Sequence, residues 1–297
     1  MTGKSGRMMA AILALVAGTS YGFGGAVSQV VKSQGFEIIH IMVAQYATAA
    51  VILGVLVLVR FRAKVAGGDV LRLFGVGALA AISVFGYYFA IDVLSVGQAI
   101  AMQFQYVWIA VVIQSVLDRI VPGKWVVVSA LLIIFGTVFG SGLADELLSG
   151  GVSMNPVGVA AAMLCAVANA FFIVMNGRTA TEYPPVVRTF FMTIGSLLVA
   201  LAVLPFVAKG PCDIVALIPG GTAMGLIMTV VPVLCIASAA MRLPGGLLAI
   251  LTSSELPMGV IAGCLLLGET TTPFKAFGIA VIFASIVLSN VEPRKRV

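Results

Sequence analysis

Apolar residues fall into ten long runs separated by short polar or basic stretches, at roughly 8–31, 37–60, 70–91, 96–116, 124–143, 155–177, 186–208, 213–240, 245–267 and 273–291. A helix needs about 20 apolar residues to cross a bilayer's hydrocarbon core, and each run is about that long. The runs are continuous and lack the period-two alternation of barrel strands. They predict an all-α membrane protein with ten transmembrane helices. Composition agrees, with 61% hydrophobic and only 9% charged residues, where soluble domains carry about 25% charged.

The charges then give a direction. One set of alternate loops and ends holds Lys4, Arg7, Arg60, Arg62, Lys64, Arg72, Arg119, Lys124, Arg178, Arg188, Arg242, Arg294, Lys295 and Arg296; the other holds Lys32, Lys209 and Lys275. Lysine and arginine are retained on the cytoplasmic side, so both termini are predicted cytoplasmic, in a bacterial inner membrane. The basic start before Met8 has the charge of a signal peptide, but the apolar run behind it is too long, and it reads as a retained first span. The net charge of +6 sits in clusters between apolar runs, which fits orientation rather than a nucleic-acid partner. The expected partners are the lipid bilayer and a small-molecule substrate, with a monomer as the working unit.

Little metal or cofactor chemistry is available. His40 is the only histidine, and Cys165, Cys212, Cys235 and Cys264 lie far apart without metal-ligand spacing. No cofactor is expected. An intramembrane enzyme would need paired aspartates, a Ser/His pair or a metal cluster at membrane depth, and none is evident. Nor is there the ring of like polar groups expected of a channel, which leaves a passive facilitator as the alternative to a carrier.

The chain also echoes itself. Gln98–Gly136 has the layout of Leu248–Ile286, about 150 residues on: a span, a hairpin and another span, the hairpins being Leu117-Asp118-Arg119 and Leu267-Gly268-Glu269. Five spans per half is an odd number, so units 8–143 and 155–291 would form an inverted repeat, an arrangement suited to alternating access. All 12 prolines lie at or after Pro122. Pro232 and Pro257 fall inside spans eight and nine, where each removes a backbone donor and makes a hinge or a plain kink.

These features resemble the drug/metabolite transporter superfamily in its EamA-type branch. The likeness is carried by Glu255-Leu256-Pro257, by Leu266-Leu267-Gly268-Glu269 and by Gly278 in the last span; in the first half Asp118-Arg119 replaces Gly-Glu. Within that branch, Gln103-Phe104-Gln105-Tyr106-Val107-Trp108 and Tyr87-Tyr88 are most similar to YddG-type exporters. The resemblance implies a central cavity open to one side and export of aromatic or other amino acids, and of amphiphilic cations.

Polar groups inside spans point to the pathway. Span four offers Gln103, Gln105, Tyr106 and Trp108, with Gln98 and Gln114 completing two stripes at 100° per residue. One stripe would line a cavity and the other bond a neighbouring helix. Tyr88, Asn169, Asn176 and Ser20 are further candidate substrate ligands, each with a packing or membrane-belt alternative. Glu255 is the sole carboxylate near the centre of a span. It is a candidate for proton coupling or cation attraction, unless the hydroxyls of Thr252, Ser253 and Ser254 satisfy it. Thr272-Pro273 reads as the cap and first residue of the last helix, with Glu269 assigned to the same turn.

Overall fold

The computed structural model describes residues 4–61, 65–150 and 154–289, and every regular element among them is helical. In chain order these are α1 (Lys4–Lys32), α2 (Ile38–Arg60), α3 (Gly67–Val93), α4 (Val96–Gln103), α5 (Tyr106–Asp118), α6 (Lys124–Gly140), α7 (Leu143–Leu148), α8 (Pro156–Asn176), α9 (Pro185–Val207), α10 (Ile214–Gly225), α11 (Val231–Ala239), α12 (Gly245–Thr252), α13 (Glu255–Ala262) and α14 (Pro273–Ser289). Taking α4 with α5, α10 with α11 and α12 with α13, eight helical stretches among the described residues are long and apolar enough to span a bilayer. The chain is a multi-pass membrane protein.

Of the remaining two predicted spans, α6 is an apolar helix of 17 residues, and α14 is an apolar helix of which 17 residues, up to Ser289, are described. The fifth run was expected to reach 143. It ends at Gly140, because Gly142 takes a left-handed φ of 85° and starts the separate short helix α7. Arg62, Lys64, Arg294, Lys295 and Arg296, counted above for orientation, lie outside the described residues, as do positions 290 and 291 of the second predicted unit.

Two spans are broken in the same way. Between α12 and α13 Pro257 has no N–H to give the Ser253 carbonyl, which accepts from Leu256 N at 3.3 Å instead, while Ser254 N reaches Leu251 O and Met258 N reaches Ser254 O. Between α4 and α5 the sequence of bonds is the same: Val107 N to Phe104 O, Gln105 N to Met102 O, Ile109 N to Gln105 O. No proline occupies the first break; Trp108 stands where the second has Pro257. The helix boundaries keep one offset of 149 positions: Val96 and Gly245, Gln103 and Thr252, Tyr106 and Glu255, Lys124 and Pro273.

That offset also re-registers the hairpins. Arg119, rather than Asp118, corresponds to Gly268, and both are left-handed caps, with φ of 54° and 67°. Glycine takes that conformation freely, whereas a side chain is strained there. Arg119→Gly should therefore raise stability by about 1 kcal/mol, read as an upward shift in the detergent-solubilised melting temperature. An unchanged or lowered temperature would mean that Arg119 makes a compensating contact.

Packing follows small residues, as expected where lipid supplies no hydrophobic drive between helices. α3 lies against α8 and α9, α2 against α9 and α10, α1 against α11, α12 and α13, and α6 against α14. The α6–α14 crossing is reciprocal: Ser129 Oγ donates to Ser285 O at 3.1 Å, and Ser285 Oγ donates to Ser129 O at 2.7 Å. A Cβ on Gly278 would stand 2.5 Å from Gly136 O, so only glycine permits that approach. Large apolar side chains such as Leu58, Val116, Phe206 and Leu265 face outward, where lipid covers them.

Candidate functional site

A cavity of about 320 Å³ opens between α1, α2, α3, α4, α8, α9 and α13. Its walls are aromatic and polar: Tyr21 from α1, Gln45 and Tyr46 from α2, Tyr87 and Tyr88 from α3, Gln103 from α4, Asn169 and Phe172 from α8, and Glu255 from α13. From Glu255 it extends along α13 to Gly263 and Leu267, and past Ser141 to Glu269 and Lys275. That end carries Lys275 and lies on the face with few basic residues.

The broken helices place the central groups. Glu255 begins α13 at the break made by Pro257, and Gln103 ends α4 at the matching break. No side-chain hydrogen bond to a described residue is made by Gln103, Asn169 or Glu255, so their polar atoms are free for a ligand. The hydroxyls expected to satisfy Glu255 are used elsewhere: Thr252 donates to Leu248 O at 3.0 Å, Ser253 to Ile250 O at 2.6 Å and Ser254 to Leu15 O at 3.3 Å. Serine and threonine within helices commonly bond the preceding turn.

A second polar kink meets the same space. Pro232 supplies no N–H, and a π-helical turn covers Leu226–Val230 ahead of it. The Ile227 carbonyl there accepts from Ser20 Oγ at 2.5 Å, and Gln45 Nε2 donates to Thr229 Oγ1 at 3.0 Å. Ser20 thus ties α1 to the kink and does not line the cavity, whereas Met228 and Thr229 do. Such turns recur at functional sites.

The other expected ligands stand apart from the cavity. Tyr106 is buried behind it, its hydroxyl 3.5 Å from Ala249 O and from Thr252 Oγ1. Gln105 donates to Ala101 O and accepts from Trp108 Nε1 at 2.8 Å, and Trp108 faces outward, 39% exposed. Asn176 is buried at the end of α8, with Nδ2 3.7 Å from Met192 Sδ. The two glutamine stripes do not survive as stripes, because the break at Phe104 interrupts the 100° spacing. Gln98 bonds Glu146 at 3.2 Å, and Gln114 accepts from Gly245 N at 2.9 Å.

Glu269, assigned to the turn, lines the cavity mouth. Thr272 caps α14, accepting from Lys275 N at 3.2 Å, and its hydroxyl also donates to Asp145 Oδ2. Gln45 and Tyr46 were missed, although a Gln-Tyr pair within an otherwise apolar run was a usable signal.

The opposite end is closed. Every residue of α12 is buried. Arg188, counted in sequence as an orientation charge, is buried in the first turn of α9, where its guanidinium donates to the carbonyls of Asn176, Thr179 and Ala237. These carbonyls lie at or near the ends of α8 and α11, whose orphan acceptors a guanidinium fork suits well. Arg178 pairs with Asp118 on the same face.

Residues 156–291 match the model of the EamA-like transporter family. Over 212 residues the chain is 27% identical to the threonine/homoserine exporter RhtA of Escherichia coli strain K12, covering 70% of this chain and 67% of that protein. It is 25% identical over the same length to the threonine/homoserine exporter RhtA of Salmonella typhimurium strain LT2. A protein of known crystal structure aligns with a TM-score of 0.75 over 94% of this chain and 98% of its own, at 18% identity; that likeness concerns the fold alone.

Proposed function

Since the chain carries an EamA-like transporter domain of the drug/metabolite transporter superfamily and is homologous to an amino-acid exporter, we propose that it is a secondary transporter that moves amino acids and related small metabolites out of the cell by alternating access. The observation that carries this reading is the one-ended cavity, in which Gln103, Asn169 and Glu255 face open space among tyrosines. Its volume is at the small end of the range of ligand sites, about 300–1,000 Å³, and suits a free amino acid. Threonine and homoserine, named for the relatives, are the first substrates to try. The aromatic lining from Tyr21, Tyr46, Tyr87, Tyr88 and Phe172 favours a second reading, in which aromatic amino acids or amphiphilic cations are carried.

We infer ten spans, built as two inverted five-helix units at 8–143 and 155–291. The constant 149-residue offset, the matching breaks and the reciprocal Ser129–Ser285 contact support this. With both termini cytoplasmic in a bacterial inner membrane, the closed end held by Arg188 faces the cytoplasm and the cavity faces out. Rocking the units would exchange the two ends, with the kinks at Pro232 and Pro257 as hinges.

Proteoliposomes loaded with unlabelled threonine, homoserine or phenylalanine should accumulate the labelled form transiently above equilibrium when it is added outside. A carrier gives this counterflow, and a passive channel does not. The absence of counterflow across an amino-acid panel would refute the exporter reading.

A further inference from the structure

The cavity's one deep carboxyl group has no partner among the described residues. Glu255 makes no hydrogen bond to a described residue, and the ion pairs among the described residues, Arg72 with Asp69 and Arg178 with Asp118, lie elsewhere. Among the groups lining the space only Lys275 is basic, and it stands at the mouth. Carboxylates inside a membrane protein are costly unless a counter-charge or water meets them. The hydroxyls beside Glu255 have been turned to backbone carbonyls. Whatever neutralises it, a proton or a cation, reaches it through the cavity.

We propose that Glu255 is the subsite for the ammonium group of the cargo, so that the protein selects molecules carrying an amine cation. The inference rests on the transport reading above and names the chemistry of its substrate. Three features of the surroundings favour an organic ammonium. Tyr21, Tyr87 and Tyr106 lie within electrostatic reach of the carboxylate, and the rings of Tyr21 and Tyr87, which line the space, offer faces that attract a cation. Gln103 and Asn169, facing the same space, carry amide donors suited to the carboxylate of a zwitterion. A bare metal ion would need several hard oxygen ligands, and the described residues contain no cluster of three or more His, Cys, Asp or Glu side chains able to hold one.

The test measures binding to purified protein in nanodiscs with three probes: threonine, its amino alcohol threoninol, which lacks the carboxylate, and N-acetylthreonine, which lacks the cation. Wild type should bind threonine and threoninol and bind N-acetylthreonine at least tenfold more weakly. Glu255→Gln should weaken both amines tenfold or more, whereas Glu255→Asp should retain part of the affinity. N-acetylthreonine bound as well as threonine overturns the proposal on wild type alone, even were the Gln variant unable to fold. Equal amine affinity in a well-folded Gln variant also overturns it. Glu255-dependent amine binding without amino-acid counterflow would refute the exporter reading and leave this one standing; counterflow with Glu255→Gln unchanged would do the reverse. Wild type that binds none of the probes refutes this inference.

Discussion

Arg188→Met should lower stability by about 3 kcal/mol or more and loosen the closed end of the molecule. The guanidinium is fully buried and serves three carbonyls, on Asn176, Thr179 and Ala237, that no neighbouring donor replaces. Each buried acceptor left unsatisfied costs about 1–3 kcal/mol. Methionine fills much of the volume, so the loss reports the hydrogen bonds rather than a cavity. Arg188→Lys should recover only part of it, because a point charge cannot match the planar fork. The measurements are the detergent melting temperature and the labelling of a single cysteine at Ala240, in a background without the native cysteines. Ala240 is buried at that end, so an impermeant thiol reagent should reach it faster in Arg188→Met. Unchanged melting and labelling would remove Arg188 from the role of latch.

Gly278→Leu should abolish most of the folded protein. At Gly278 the added Cβ would meet Gly136 O at 2.5 Å and Gly140 Cα at 2.8 Å. Both are backbone atoms, so no side chain can swing aside, and α6 and α14 would have to separate. Overpacking of a tight contact costs about 1–3 kcal/mol and occasionally more; here the upper end is expected, because the Ser129–Ser285 bonds would part as well. Gly75→Leu is the matched control, since nothing lies within 4 Å of its Cβ position. Size-exclusion profiles of fluorescent fusions should show a monodisperse peak for the control and its loss for Gly278→Leu. Equal peaks would show that the close crossing is dispensable.

The membrane-spanning elements were legible because long apolar runs have few other stable outcomes in a chain this poor in charge. The cavity was legible only in part. Gln103, Asn169, Tyr88 and Glu255 do line it, but nothing local distinguishes them from Gln105, Tyr106, Trp108 and Asn176, which do not. A helical wheel assumes an unbroken helix, and the step at Phe104 carries no proline to announce itself. The broken second-half counterpart was readable through Pro257, and a consistent 149-residue register would have transferred that break to the first half. Glu269 and Arg188 sit at the edges of apolar runs, where a turn residue or an orientation charge is the ordinary reading. Their placement depends on groups far along the chain: Ala237, for example, lies 49 positions from Arg188.

The 17-residue helix α6, capped at Ser141, stands against α14. At 1.5 Å per residue α6 is about 25 Å long, short of the roughly 30 Å of a typical hydrocarbon layer. The shortfall therefore lies where α6 meets lipid, and there the surrounding acyl chains must compress. Such a local misfit makes the protein's tilt, and the ease with which α6 shifts, a function of bilayer thickness.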